Sequence, residues 1–168
     1  GNGVELYWDT DRTFWEWDGD SVRMGTVYLD PNLFLQENLT EAGADKPGDG
    51  DAGVGHVHLK VGDIATAKRF YVGTLGFETT FEYGTQALFV SAGGYHHHVG
   101  MNTWQSSGAG TRTPALGLGQ VSIEVPSMDD LGTLRERLAA ASIQVADNGN
   151  ELSFDDPWAN FVRVHAGP

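Results

Sequence analysis

The feature that most constrains this chain is an internal repeat. His56, His58 and Lys60 alternate with Val57, Leu59 and Val61, and further on Gln120, Ser122 and Glu124 alternate with Val121, Ile123 and Val125. Period-two alternation of this kind is the signature of a half-buried strand. In each copy a helix-capping residue follows at the same offset, Asp63 in the first and Ser127 in the second. A helix is predicted next (about 64–75, closed by Gly76; then 128–141), followed by three strands. These are Phe77–Tyr83, Gln86–Ser91 and Tyr95–Trp104 in the first copy, and Ile143–Ala146, Glu151–Phe154 and Phe161–His165 in the second. Each copy is therefore a β-α-β-β-β unit. Two like units that each bury one sheet face imply an α+β protein in which the modules pack together.

A third copy shows only as a stub. Ala159-Asn160-Phe161-Val162-Arg163-Val164, in the last strand of the second unit, matches Gly1-Asn2-Gly3-Val4-Glu5-Leu6 at the start of the chain. Glu5 then stands where Arg163 stands. Gly3, Glu5 and Tyr7 alternate with Val4, Leu6 and Trp8, which reads as a strand with one polar and one apolar face. Residues 1–8 are thus expected to be the last strand of a truncated preceding module. Residues 9–54 are an inter-module connection, with a short helix over 31–39 that starts on Pro31 and a Gly- and Asp-rich loop over 41–54. Residues 55–104 form one module, 105–116 a linker, and 117–168 the second module.

Composition excludes several classes of function. The chain has 168 residues, no cysteine and a net charge of -13. Disulfides and thiolate chemistry are ruled out, and so much negative charge works against nucleic acid or an anionic membrane surface as a partner. No run of about 18 apolar residues is present, so no membrane span is expected. The first residues show no basic stretch followed by an apolar one. With no signal peptide indicated, a cytoplasmic location is expected.

Five of the six histidines fall in two places: His56 and His58 on the first strand, and His96-His97-His98 in the segment after Gly93-Gly94. If 95–104 is all strand, His96, His98, Gly100 and Asn102 share one face, and Tyr95, His97, Val99 and Met101 the other. The run reads either as a polar strand or as the lining of a metal-dependent site. No Gly-rich nucleotide loop or nucleophile elbow is present.

Taken together, Gly55-His56-Val57-His58-Leu59-Lys60-Val61 leading to Phe70-Tyr71 and Leu75-Gly76-Phe77, Ser91-Ala92-Gly93-Gly94-Tyr95-His96-His97-His98, and Gly1-Asn2-Gly3-Val4-Glu5-Leu6-Tyr7 resemble the vicinal-oxygen-chelate superfamily of glyoxalases, bleomycin-resistance proteins and extradiol dioxygenases. The pattern is similar to the C-terminal portion of four-module bacterial catechol-2,3-dioxygenase-like proteins. The resemblance implies paired modules that curl into a cup-like mixed sheet with helices outside. It also implies metal ligands from first strands and one last strand: His56 and Glu5. Gln120 and Arg163 hold the matching positions of the second module, and both are poor ligands for a cation. A third ligand, a His, is expected from a missing N-terminal segment or another chain. One distance tests the pairing: Glu5 and His56 must lie within about 5 Å to share an ion.

The implied reaction is extradiol cleavage of a catechol-like diol by O2, with Fe(2+) as the metal and Mn(2+), Zn(2+) or Ni(2+) as alternatives. His98, His96 and Tyr95 are the candidate acid/base groups, and His58, Tyr7 and Asn102 the candidate substrate contacts. A binding protein for a small aromatic compound or drug, and a glyoxalase-type isomerase or lyase, are the competing readings. The fragment alone is expected to be inactive, and a homo-oligomer stays open as a partner state.

Overall fold

The computed structural model describes residues 3–41 and 53–167. Both repeats fold as β-α-β-β-β units with the same connectivity. In the first, β3 (Val57–Lys60), β4 (Glu78–Tyr83), β5 (Ala87–Ser91) and β6 (Val99–Asn102) lie in the order β3-β6-β5-β4. In the second, β7 (Val121–Val125), β8 (Ala146–Asp147), β9 (Glu151–Asp155) and β10 (Phe161–Ala166) lie in the order β7-β10-β9-β8. The first and last strands of each unit pair in parallel, Val57 opposite Val99 and Val121 opposite Val162, and the other pairs are antiparallel. The crossover helix of each unit makes the parallel pairing reachable. The protein is thus α+β with two four-stranded mixed sheets. Their ladders remain separate and do not merge into one sheet.

The helices start where capping chemistry allows. Asp63 Oδ1 accepts from the Thr66 N–H at 2.7 Å at the head of α2 (Ile64–Lys68), and Ser127 Oγ accepts from the Asp130 N–H at 3.2 Å at the head of α3 (Met128–Ala140). After the hairpin of β1 (Trp17–Asp18) and β2 (Ser21–Val22), α1 (Pro31–Asn38) begins on Pro31 with Asp30 as its cap and buries no residue. The helix predicted over 64–75 changes character at Arg69 and runs to Thr74 as a π-helical turn, with the Leu75 N–H bonded to the Phe70 carbonyl. A wider turn rotates neighbours less, which lets the adjacent Phe70 and Tyr71 both reach the core.

The apolar faces under the two helices share one core. Leu59, Val61, Phe70 and Met101 of the first module join Leu131, Leu138, Leu152 and Phe154 of the second. On α3, Leu131, Leu134 and Leu138 recur at helical spacing and are buried. The polar face of β3, with His58 and Lys60, lies on the opposite side of its sheet from this core.

Three predicted strands differ in the structure. Residues 3–8 pair with no described strand and run as an extended segment without ladder bonds. The expected strand 95–104 is ordered as a strand only over Val99–Asn102. Ahead of it, Gly93 and Gly94 take φ of 68° and 70°, and Thr80 Oγ1 donates to the His96 carbonyl at 2.6 Å, so the histidine run is looped. In the second module, Ser142 leaves α3 with φ 57°, and strand pairing begins only at Ala146. Most of the predicted 41–54 loop, residues 42–52, lies outside the described residues.

Candidate active site

The segment from Gly3 to Asp9 keeps the predicted alternation without being a strand. Val4, Leu6 and Trp8 point outward and are 84%, 96% and 73% exposed. Glu5, Tyr7 and Asp9 instead reach the first module. Glu5 Oε2 lies 3.0 Å from His56 Nε2, inside the limit set by a shared ion. The Tyr7 ring lies 5.0 Å from the His56 ring, and the Tyr7 hydroxyl meets the Tyr95 hydroxyl at 3.1 Å. That approach depends on Gly55: a Cβ there would fall 1.6 Å from the Tyr7 oxygen. Asp9 accepts twice, from the Tyr95 hydroxyl at 2.7 Å and from His96 Nε2 at 3.0 Å. Since Tyr95 gives its proton to Asp9, Tyr7 is the donor to Tyr95.

The looped histidine run divides differently from the strand expectation. His97 does not face away from His96. Its Nδ1 lies 2.8 Å from His96 Nδ1, and its ring sits 4.5 Å from the His56 ring and 5.0 Å from Phe89. Strand alternation fails here because the chain turns between Gly93 and His98. Burial, reinforced by His96 and then by His56, His58 and His98, pushes the His97 imidazolium down to about 3. His98 points to the neighbouring turn, where Nδ1 accepts from the Ala92 N–H at 3.3 Å and meets Ser91 Oγ at 3.0 Å. Burial lowers its pKa as well, helped by His96 and Arg12. Burial, then the hydrogen bonds to Tyr7 and Asp9, raises the Tyr95 phenol above the ordinary tyrosine range.

His58 belongs to the adjoining part of the sheet. Its Nε2 takes a bond from Asn102 Nδ2 at 2.8 Å, and its ring lies near Phe89 and Trp104. Burial lowers its pKa against the opposing pull of Glu5. The structure therefore brings Glu5, Tyr7, His56, Tyr95, His96 and His97 into one cluster, with His58 and Asn102 beside it and His98 on the turn behind Tyr95. Asp9, Arg12 and Trp15 join the cluster unpredicted. Trp15 packs on Tyr95 and His96 with centroids 5.6 and 5.2 Å apart, and Arg12 stacks over Trp15 and Tyr95. Trp15 also lines a cleft of about 730 Å³ with Arg12, Trp17 and Thr79. Asp9 had a signal, for it continues the parity of Glu5 and Tyr7; Trp15 had none, because it follows an irregular turn.

Two of these atoms suit a metal. Ligands held about 2.1 Å from an ion at right angles stand about 3.0 Å apart; His56 Nε2 and Glu5 Oε2 have that separation, and here the same contact is a hydrogen bond from the imidazole to the carboxylate. His56 Nδ1 is buried without a hydrogen-bond partner, the one such side-chain atom among the described residues. The tautomer of this ring is then set by whatever occupies Nε2. Among the described residues no set of three His, Cys, Asp or Glu side chains is placed to hold one ion. The second module adds none: Gln120 bonds Ser122 and Arg163 bonds Glu151, both within their own module.

Residues 53–156 match the model of the glyoxalase/bleomycin resistance protein/dioxygenase superfamily, which covers more than half of the chain. The chain belongs to this superfamily. Among curated proteins, it is 37% identical over 160 residues to a catechol-2,3-dioxygenase of Bacillus subtilis (strain 168), covering 94% of this chain and 55% of that protein. The chain thus spans about half the length of the curated relative it matches. Solved structures agree on the fold: lactoylglutathione lyase of Agrobacterium tumefaciens (TM-score 0.53, 20% identity, 70% of this chain and 95% of that one) and the fosfomycin resistance protein FosX of Listeria monocytogenes (TM-score 0.54, 16% identity, 71% and 94%).

Proposed function

We propose that this chain is the metal-bearing part of an extradiol ring-cleaving dioxygenase that acts on a catechol-like diol with ferrous iron and O2. The observation that carries the reading is the 3.0 Å pair of Glu5 Oε2 and His56 Nε2, set against a cluster of proton-transfer groups. The 37% identity to a protein named catechol-2,3-dioxygenase supports the reaction class. His56 and Glu5 would hold the ion as neighbouring ligands, and a third ligand would come from outside the described residues. When bound, ferrous iron supplies Lewis acidity toward a diol and a redox partner for O2. Mn(2+), Zn(2+) and Ni(2+) are the metals that a glyoxalase-type reaction at the same site would use.

The chain's own groups orient the diol. His97 is neutral across the physiological range and too weak a base to store a proton there, so it serves a diol hydroxyl as a hydrogen-bond acceptor. His96 stands behind it, with both ring nitrogens already engaged by Asp9 and His97. Tyr95 and His98 are tied to Asp9 and to the Ser91–Ala92 turn, and act in this reading by holding the loop in place. His58 and Asn102 offer the adjoining polar wall for substrate. A cytoplasmic location fits the reading, and no helix among the described residues is long and apolar enough to cross a membrane.

The test uses the full-length protein. Anaerobic loading with ferrous iron, then catechol and air, is expected to give the absorbance of a ring-opened product. No ring opening combined with retained binding of an aromatic diol would shift the reading to a binding protein.

A further inference from the structure

We infer that Asp9 is a positioning residue that fixes the tautomers of His96 and His97 in series. A carboxylate only accepts, so the proton between Asp9 Oδ1 and His96 Nε2 sits on the imidazole. A neutral His96 with a proton on Nε2 has a bare Nδ1. That nitrogen lies 2.8 Å from His97 Nδ1, and two bare nitrogens at this distance would repel. The proton between the rings therefore belongs to His97 Nδ1, and His97 is left with a bare Nε2. One carboxylate on the N-terminal segment thereby selects which nitrogen is left bare on a ring two hydrogen bonds away.

The second Asp9 oxygen makes the arrangement directional. Tyr95 donates to Oδ2 at 2.7 Å, with Tyr7 donating to Tyr95, so the carboxylate is held between a phenol chain and an imidazole chain. Trp15 closes over Tyr95 and His96 and limits their rotation. The segment that carries Glu5 to His56 thus also sets the tautomer of His97. The use made of that bare nitrogen rests on the ring-cleaving reading proposed above; the tautomers do not.

The experiment is nitrogen-15 NMR of the histidine-labelled 168-residue chain at pH 8, with long-range proton–nitrogen correlations that report which ring nitrogen carries hydrogen. The expected result is His96 protonated at Nε2 and His97 at Nδ1. In Asp9→Ala both rings lose that fixed assignment, while Asp11→Asn, whose native carboxylate bonds only Thr13, leaves both unchanged. In the iron-loaded full-length protein, Asp9→Ala is expected to lower kcat about 10–100-fold, the range for loss of an orienting partner, with KM little changed. A wild-type His97 protonated at Nε2 overturns the inference, even if Asp9→Ala fails to fold. So does an Asp9→Ala protein with native amide dispersion and unchanged His96 and His97 tautomers. Absence of ring cleavage in the wild type would remove the reaction and leave the tautomers to decide the role of Asp9.

Discussion

The Tyr71 hydroxyl donates to Asp156 Oδ2 at 2.9 Å, a buried bond that fastens the π-turn of the first module to the β9–β10 turn of the second. Asp156 also accepts from the Asn160 amide and from the Trp158 and Asn160 N–H groups, so its carboxylate is fully partnered without a cation. Burial, then the neighbouring carboxylate, raises the Tyr71 phenol above the ordinary range. Tyr71→Phe removes one bond to a charged acceptor and is expected to cost about 1.5–3 kcal/mol. Urea unfolding followed by two probes, one in each module, checks this. An unchanged midpoint would mean that the bond does not couple the modules.

At the proposed metal pair, His56→Gln and Glu5→Gln would each remove a direct donor. In full-length protein, each is expected to weaken ferrous-ion binding by more than the roughly 10–100-fold that follows loss of an outer partner. Anaerobic titration measures it. The matching change at Arg163, which bonds Glu151 in the other module, should leave metal binding as it was.

Gly55 gives a steric handle on the same region. Gly55→Ala places a methyl where the Tyr7 hydroxyl now lies, so Tyr7 must swing away and release Tyr95. The expected outcome is a folded protein with altered near-ultraviolet tyrosine ellipticity and reduced activity. Retention of the native tyrosine signal would show that Tyr7 does not occupy this position in solution.

Asp63 provides a pH dependence away from the site. The Thr66 hydroxyl, then the Thr66 N–H, holds its carboxyl below the ordinary value of 3.8. The folded state therefore favours the ionised cap. The contribution is complete above the ordinary carboxylate range and disappears as pH falls through the lowered folded value. Asp63→Asn keeps a capping oxygen that does not titrate, so its thermal midpoint is expected to fall less than that of the wild type below about pH 4.

The fold was legible in the sequence because repetition and alternation are local signals. Both units, their caps and the parity of Glu5 against Val4 and Leu6 follow from counting residues. The histidine run was not legible in the same way. Strand parity put His97 opposite His96, and two left-handed glycines together with the Thr80 bond cancelled that parity. Trp15 and Arg12 reach the site from a segment without periodicity, where only tertiary packing decides which side chain goes in. The division of α2 at Arg69 was hidden too, since a π-turn and an α-helix use the same residues.

The outward side of residues 4–8 also bears on how the chain behaves in a crowded solution. Val4, Leu6 and Trp8 present an apolar strip to water, and Leu33 and Leu35 of α1 are half exposed. The net charge of -13 opposes contact between two such strips. That repulsion reaches about 10 Å in 0.1 M salt and only about 3 Å in 1 M, whereas apolar attraction does not fade with ionic strength. Contact between copies through this strip is therefore expected to grow as salt rises.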